Sequence, residues 1–148
     1  MDRKTDDDVL LDGLRLAVGM SVRAADELDD LSPVQLRALT VLQENPRSNL
    51  VGLAEAMGVT VSTASRLVDR LVAAQLATRK PSDRTRREVT LGLTRSGRTT
   101  LQRYDRLRIE ALHTCLEHVR PETREALLAA LREVVAALPA VSESPRPV

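Results

Sequence analysis

Residues 50–71 read LVGLAEAMGVTVSTASRLVDRL, and the reading of this stretch decides the fold. Two packed helices need a small residue where they cross, and Ala54 supplies it. They also need a turn residue that tolerates a left-handed backbone, which Gly58 supplies four residues later. Leu53, Met57, Val59, Ala64 and Leu67 stand where the pair needs apolar contacts. The positions together fit one template, a helix-turn-helix.

The second helix of that pair is expected to be capped by Thr60 and to run to about Gln75. Its side chains divide by face. Ala64, Leu67, Val68 and Leu71 point inward, while Ser62, Thr63, Ser65, Arg66, Asp69 and Arg70 point outward. Small hydroxyls near a helix N-terminus can meet base edges in a major groove, and Arg66 and Arg70 can reach guanine or phosphate. A merely solvated face would also be polar. This one is basic, with Asp69 as its single acid.

Toward the N-terminus, residues 8–28 read as a helix. Leu10, Leu14, Ala17, Val18, Ser21, Ala25 and Leu28 recur at three- and four-residue spacing, and Asp6, Asp7 and Asp8 suit the positive end of its dipole. Ser32-Pro33-Val34-Gln35 opens the next helix with a capping hydroxyl, a proline at the first helical position and a glutamine that can close a capping box. Leu36, Leu39 and Leu42 give its buried face, and Asn45-Pro46 ends it. The third helix begins near Asn49 or Leu50 and stops at Gly58.

Toward the C-terminus, residues 77–80 and 88–93 read as two short strands. Val89, Leu91 and Leu93 alternate with Thr90 and Gly92 in the second. The loop between them carries Arg84, Arg86 and Arg87, a basic hairpin tip suited to the negative potential of a minor groove. Thr94 is expected to cap a long helix ending near Val119. Pro121 starts another, carrying Leu127, Leu128, Leu131, Val134, Val135 and Leu138. Residues 139–148, with Pro139, Pro145 and Pro147, read as a frayed tail. The fold class is thus mainly α with a small β-hairpin, a winged helix-turn-helix flanked by terminal helices.

Composition agrees. The 148 residues suit one compact domain with a long-helix appendage. Tyr104 is the only aromatic, so Leu, Val, Ala and a few Met must build the core. The formal net charge of +1 hides an asymmetry. Residues 1–44 carry ten acidic and five basic side chains, whereas residues 59–98 concentrate Arg66, Arg70, Arg79, Lys80, Arg84, Arg86, Arg87, Arg95 and Arg98 against three acids. A localised basic block points to a polyanion. No apolar run approaches the roughly 20 residues of a membrane span, and the N-terminus lacks the pattern of a signal peptide. Cys115 stands alone, which excludes an intramolecular disulfide. A cytoplasmic protein is the expectation.

The order of elements over residues 10–138 resembles the multiple antibiotic resistance regulator (MarR) family. Three stretches carry the likeness: residues 53–59 (LAEAMGV), 65–71 (SRLVDRL) and 87–97 (REVTLGLTRSG). The resemblance implies a homodimer whose N- and C-terminal helices form the interface. It also implies a fourth helix in the major groove and a wing in the minor groove. The family wing usually pairs an Asp with an Arg two residues later. Arg87 falls on the Arg position, but Thr85 falls where the Asp would be and Asp83 lies two residues earlier.

The expected organisation is a dimerisation helix over residues 1–30, a DNA-binding domain over 31–98, dimerisation helices over 99–138 and a flexible tail over 139–148. Apolar stripes on the terminal helices independently suggest burial against a second copy. The expected site comprises Thr60, Ser62, Thr63, Ser65, Arg66, Arg70, Arg84, Arg86 and Arg87. No metal, cofactor or catalytic constellation is expected: His113 and His118 are five apart and do not share a helical face. Cys115, among Leu112, Leu116 and Val119, reads as inert packing. The functional expectation is a transcription regulator of the repressor kind on a pseudo-palindromic operator. The resemblance adds a small-molecule effector held between the dimerisation helices and the DNA-binding lobe, in a pocket too poor in aromatics to stack a phenolic ring. The alternative is a winged-helix protein-interaction module without DNA binding.

Overall fold

A computed structural model describes residues 4–28, 31–81 and 89–142, with side chains up to residue 137. The elements are α1 (Asp6–Asp26), α2 (Pro33–Glu44), α3 (Leu50–Met57), α4 (Val61–Ala73), β1 (Ala77–Pro81), β2 (Val89–Leu93), α5 (Arg95–Leu116) and α6 (Pro121–Ser142). They fall into two compact units, residues 1–109 and 110–148.

Caps account for most of the helix starts. Thr5 opens α1, two residues before the expected start. Its hydroxyl accepts from the Asp8 amide at 3.2 Å, and its own amide donates to the Asp8 carboxylate at 2.9 Å. The Thr5 hydroxyl also donates to the Asp8 carboxylate at 2.7 Å, and this bond, followed by that of the Thr5 amide, holds the Asp8 carboxyl below its ordinary range. Ser32 and Gln35 form the expected box at α2. Asn49 accepts from Gly52 at α3, and Thr94 accepts from Gly97 at 2.9 Å at α5.

Helix ends follow backbone handedness. Gly58 closes α3 at φ 67°, with the Val59 amide donating back to Ala54 at 3.0 Å. The end of α4 repeats the geometry without a glycine. Gln75 sits at φ 58°, and the Leu76 amide donates to Leu71 at 2.9 Å, so the helix stops at Ala73 rather than near Gln75. Helix α5 ends at Leu116, short of Val119, where residues 117–119 turn back on the carbonyls of His113, Cys115 and Leu116. Helix α6 continues through Pro139 to Ser142, so the expected tail is helical over its first four residues. Its neighbours Ala136, Ala137 and Ala140 are the strongest helix formers. Residues 143–148 lie outside the described ones.

In the first unit, Leu36, Leu39, Leu53, Val68, Leu71, Leu91 and Leu101 are fully buried. Each such leucine contributes about 1.5–3 kcal/mol relative to an exposed one. Strands β1 and β2 pair antiparallel with Ala77 opposite Leu93 and Pro81 opposite Val89. The Leu91 amide also donates to Ser48 at 2.8 Å, which ties β2 to the chain just before α3. Gly97 lets α5 start against the root of β1: a Cβ there would lie 2.0 Å from the Leu76 carbonyl oxygen. Tyr104 and Arg108 join α5 to α1 by donating to the Ser21 carbonyl (3.3 Å) and hydroxyl (3.1 Å). Met20, Ala24 and Ala25 are the buried face of α1, whereas Leu10, Leu14 and Val18 are about two-thirds exposed.

In the second unit no side chain of α6 is buried among the described residues, and Leu127, Leu128, Leu131, Val134 and Val135 are exposed. Cys115 is also exposed, not packed as expected, because no described residue of its unit covers that face. Among the described residues no helix is long and apolar enough to cross a membrane.

Candidate nucleic-acid interface

Helix α4 has two faces. Ala64, Leu67, Val68 and Leu71 are buried, while Ser62, Thr63, Arg66, Asp69 and Arg70 are exposed. The apolar side packs on the core with α3, and the polar side faces outward. Thr60 begins the helix. Its hydroxyl accepts from the Thr63 amide at 3.2 Å and donates to the Thr63 hydroxyl at 3.0 Å, so two candidate side chains form one hydroxyl pair at the N-terminus.

Ser65 is half-buried rather than fully outward, because Arg79 of β1 lies over it. The Arg79 guanidinium donates to the Ser65 carbonyl at 3.1 Å and hydroxyl at 3.3 Å, and pairs with Asp69 at 2.9 Å. This contact was not foreseen from sequence. Its only signal was an arginine among strand residues, and nothing in the spacing relates position 79 to positions 65 and 69. An exposed pair of this kind adds little stability. It does neutralise the one acid on the outward face, leaving Arg66 and Arg70 as that face's net charge.

Thr60, Ser62, Thr63, Ser65, Arg66 and Arg70 are therefore brought onto one helix surface, with Arg79 beside them. Arg84, Arg86 and Arg87, and with them Asp83 and Thr85, lie outside the described residues. The hairpin that would carry them leaves the core through β1 and returns through β2, next to the C-terminal part of α4. Among the described residues, no group of three or more His, Cys, Asp or Glu could hold a metal ion.

This helix pair, hairpin and exposed basic helix face define a winged helix-turn-helix of the transcription-regulator class. The family model described as MarR family matches residues 29–88. Solved structures match nearly the whole chain. RV1404 from Mycobacterium tuberculosis is 32% identical, covering 93% of this chain and 97% of its own, with a TM-score of 0.79. The transcriptional regulator Tm0710 from Thermotoga maritima is 20% identical, covering 94% and 97%, with a TM-score of 0.77. A Staphylococcus aureus MepR mutant bound to an oligodeoxyribonucleotide is 20% identical, covering 92% and 99%, with a TM-score of 0.69. Among curated protein sequences none matches. The chain belongs to the MarR family.

Proposed function

We propose that the protein is a cytoplasmic repressor that occupies a pseudo-palindromic operator in duplex DNA as a homodimer. In this reading residues 31–98 hold DNA, and residues 1–30 and 99–138 pair the protomers. Helix α4 lies in the major groove, with Thr60, Ser62, Thr63 and Ser65 at its leading end and Arg66 and Arg70 reaching guanine or phosphate. Arg84, Arg86 and Arg87 enter the neighbouring minor groove, an assignment that rests on sequence alone.

The observation that carries the reading is the two-faced α4, whose exposed side is basic once Arg79 has neutralised Asp69. The MepR structure with its oligodeoxyribonucleotide supports it, because that protein holds DNA on the same fold. A second copy is the natural cover for the exposed stripes on α1 and α6. Two-fold pairing then spaces half-sites by about 10 base pairs.

An effector fits the cleft of about 370 Å³ between α1, α2 and α5, lined by Ser21, Arg37, Thr40, Tyr104 and Arg108 among others. Tyr104, the lone aromatic, is 6% exposed and its ring lies 5.2 Å from the Arg108 guanidinium. A bound ring would meet guanidinium groups rather than a free aromatic face, and occupancy would weaken DNA binding.

The test is binding to a fragment of the gene's own upstream region across roughly 50–200 mM salt. A dimer that prefers this fragment over competitor DNA, with a log–log salt slope of several units, is expected. Binding absent, or no better than to random DNA on this and on genome-selected fragments, would overturn the reading in favour of a protein partner.

A further inference from the structure

The contact from Arg79 fixes what the Ser65 hydroxyl can do. A hydroxyl has one hydrogen to give and two lone pairs to accept with, and it rotates to suit its neighbour. A guanidinium has donors and no acceptor, so at 3.3 Å the Ser65 oxygen accepts from Arg79 and keeps its own hydrogen for another partner. Hydroxyls inside helices often return that hydrogen to the carbonyl four residues back, as Ser21, Thr40 and Thr114 do here. Ser65 does not, and among the described residues its hydroxyl donates to none.

The other hydroxyls of this surface are not fixed in the same way. Thr60 and Thr63 pair with each other at 3.0 Å and can exchange roles, and the Ser62 hydroxyl bonds to none of the described residues.

We propose that Ser65 reads guanine in each half-site as a specificity-determining donor, and that Arg79 is the positioning residue that keeps it a donor. This rests on α4 lying in the major groove. There guanine shows two acceptors, N7 and O6, with no donor beside them. Adenine sets its amino group next to N7, cytosine shows an amino group, and thymine shows one acceptor beside a methyl. An amino group brought to Ser65 would meet the Arg79 guanidinium, donor against donor. Ser65 is also half-buried and tied one turn along the helix to Asp69 through the same Arg79 nitrogen, so it has little freedom left to lose on binding.

The test uses the full-length protein and the fragments that it selects from genomic DNA, with anisotropy titrations against every base change in a half-site. The original protein should prefer guanine to adenine about fivefold at one position of each half-site. Ser65→Ala should remove that preference and Ser65→Thr should keep it. Arg79→Met combined with Asp69→Ala, which leaves no bared carboxylate, should also remove it although Ser65 is intact. A Ser65→Ala protein that still prefers guanine would overturn the proposal, and a double variant that still prefers it would overturn the part given to Arg79. A Ser65→Ala loss equal on every sequence would place the hydroxyl on a phosphate instead. Unchanged DNA affinity with a lower urea midpoint would confine the contact to holding the hairpin on α4. Either result would refute the reading of a base. A protein that selects no fragment over competitor DNA would refute the DNA reading itself, and this proposal with it.

Discussion

Gly97→Ala is expected to destabilise the protein, although it replaces a glycine inside a helix. In an exposed helix the change would gain about 1 kcal/mol from propensity. Here the new Cβ would lie 2.0 Å from the Leu76 carbonyl oxygen, 3.0 Å from its carbon and 3.3 Å from its Cα. Ordinary carbon contacts are about 3.5 Å or longer, so α5 and the root of β1 must separate by about 1.5 Å. Backbone, not a flexible side-chain end, has to move. Three hydrogen bonds hold that junction: the Thr94 amide to Leu76 (3.1 Å), the Thr94 hydroxyl to the Gln75 carbonyl (2.7 Å) and the Gly97 amide to the Thr94 hydroxyl (2.9 Å). Overpacking costs about 1–3 kcal/mol, and each weakened bond costs about 1 kcal/mol. With the two bonds that span the junction weakened and the helix gain subtracted, the net loss is about 2–4 kcal/mol. Urea unfolding followed by circular dichroism measures it, at one fixed protein concentration because a dimer's stability depends on concentration. A Gly97→Ala protein as stable as the original, or more so, would refute the close approach.

Gln75→Gly should change stability in the opposite direction, by up to about 1 kcal/mol, because relief of the left-handed backbone outweighs the extra freedom of the unfolded chain; a lower urea midpoint would contradict it. Arg79→Ala should weaken operator binding about tenfold, and adding Asp69→Asn should recover part of the loss by removing the bared carboxylate; anisotropy titrations that show no recovery would separate Arg79 from Asp69. Leu14→Glu should shift the sedimentation coefficient toward a monomer, and an unchanged coefficient would place the dimer contact off the exposed α1 stripe. Acid should fray the start of α1. The folded-state pKa of Asp8 is depressed, so its contribution is complete above the unfolded value and lost as pH falls through the folded one. Amide exchange at Asp8 and Val9 that stays flat across that window would count against the capping box.

Local rules made much of the fold legible. A capping residue acts within three positions of itself, so Ser32 with Gln35, Thr60 and Thr94 each announced a helix start. Gly58 announced the turn between α3 and α4, and apolar spacing announced the buried side of α4. Thr5 obeyed the same rule. The spacing of Thr5 and Asp8 marks the start of α1 at Asp6, two residues before the span given by the apolar period. Gln75 was harder, since a left-handed residue without glycine leaves no compositional mark.

Thus the sequence by itself determined the order of helices and strands, their caps and the two faces of α4, because those depend on neighbours a few residues apart. Only the tertiary structure decided which distant side chains meet. It brought Arg79 onto Ser65 and Asp69, and Gly97 against Leu76. Each of these depends on how the hairpin returns from α4 to α5. That path is set by packing Leu91 and Leu76 into a shared core, and no periodicity along the chain records it.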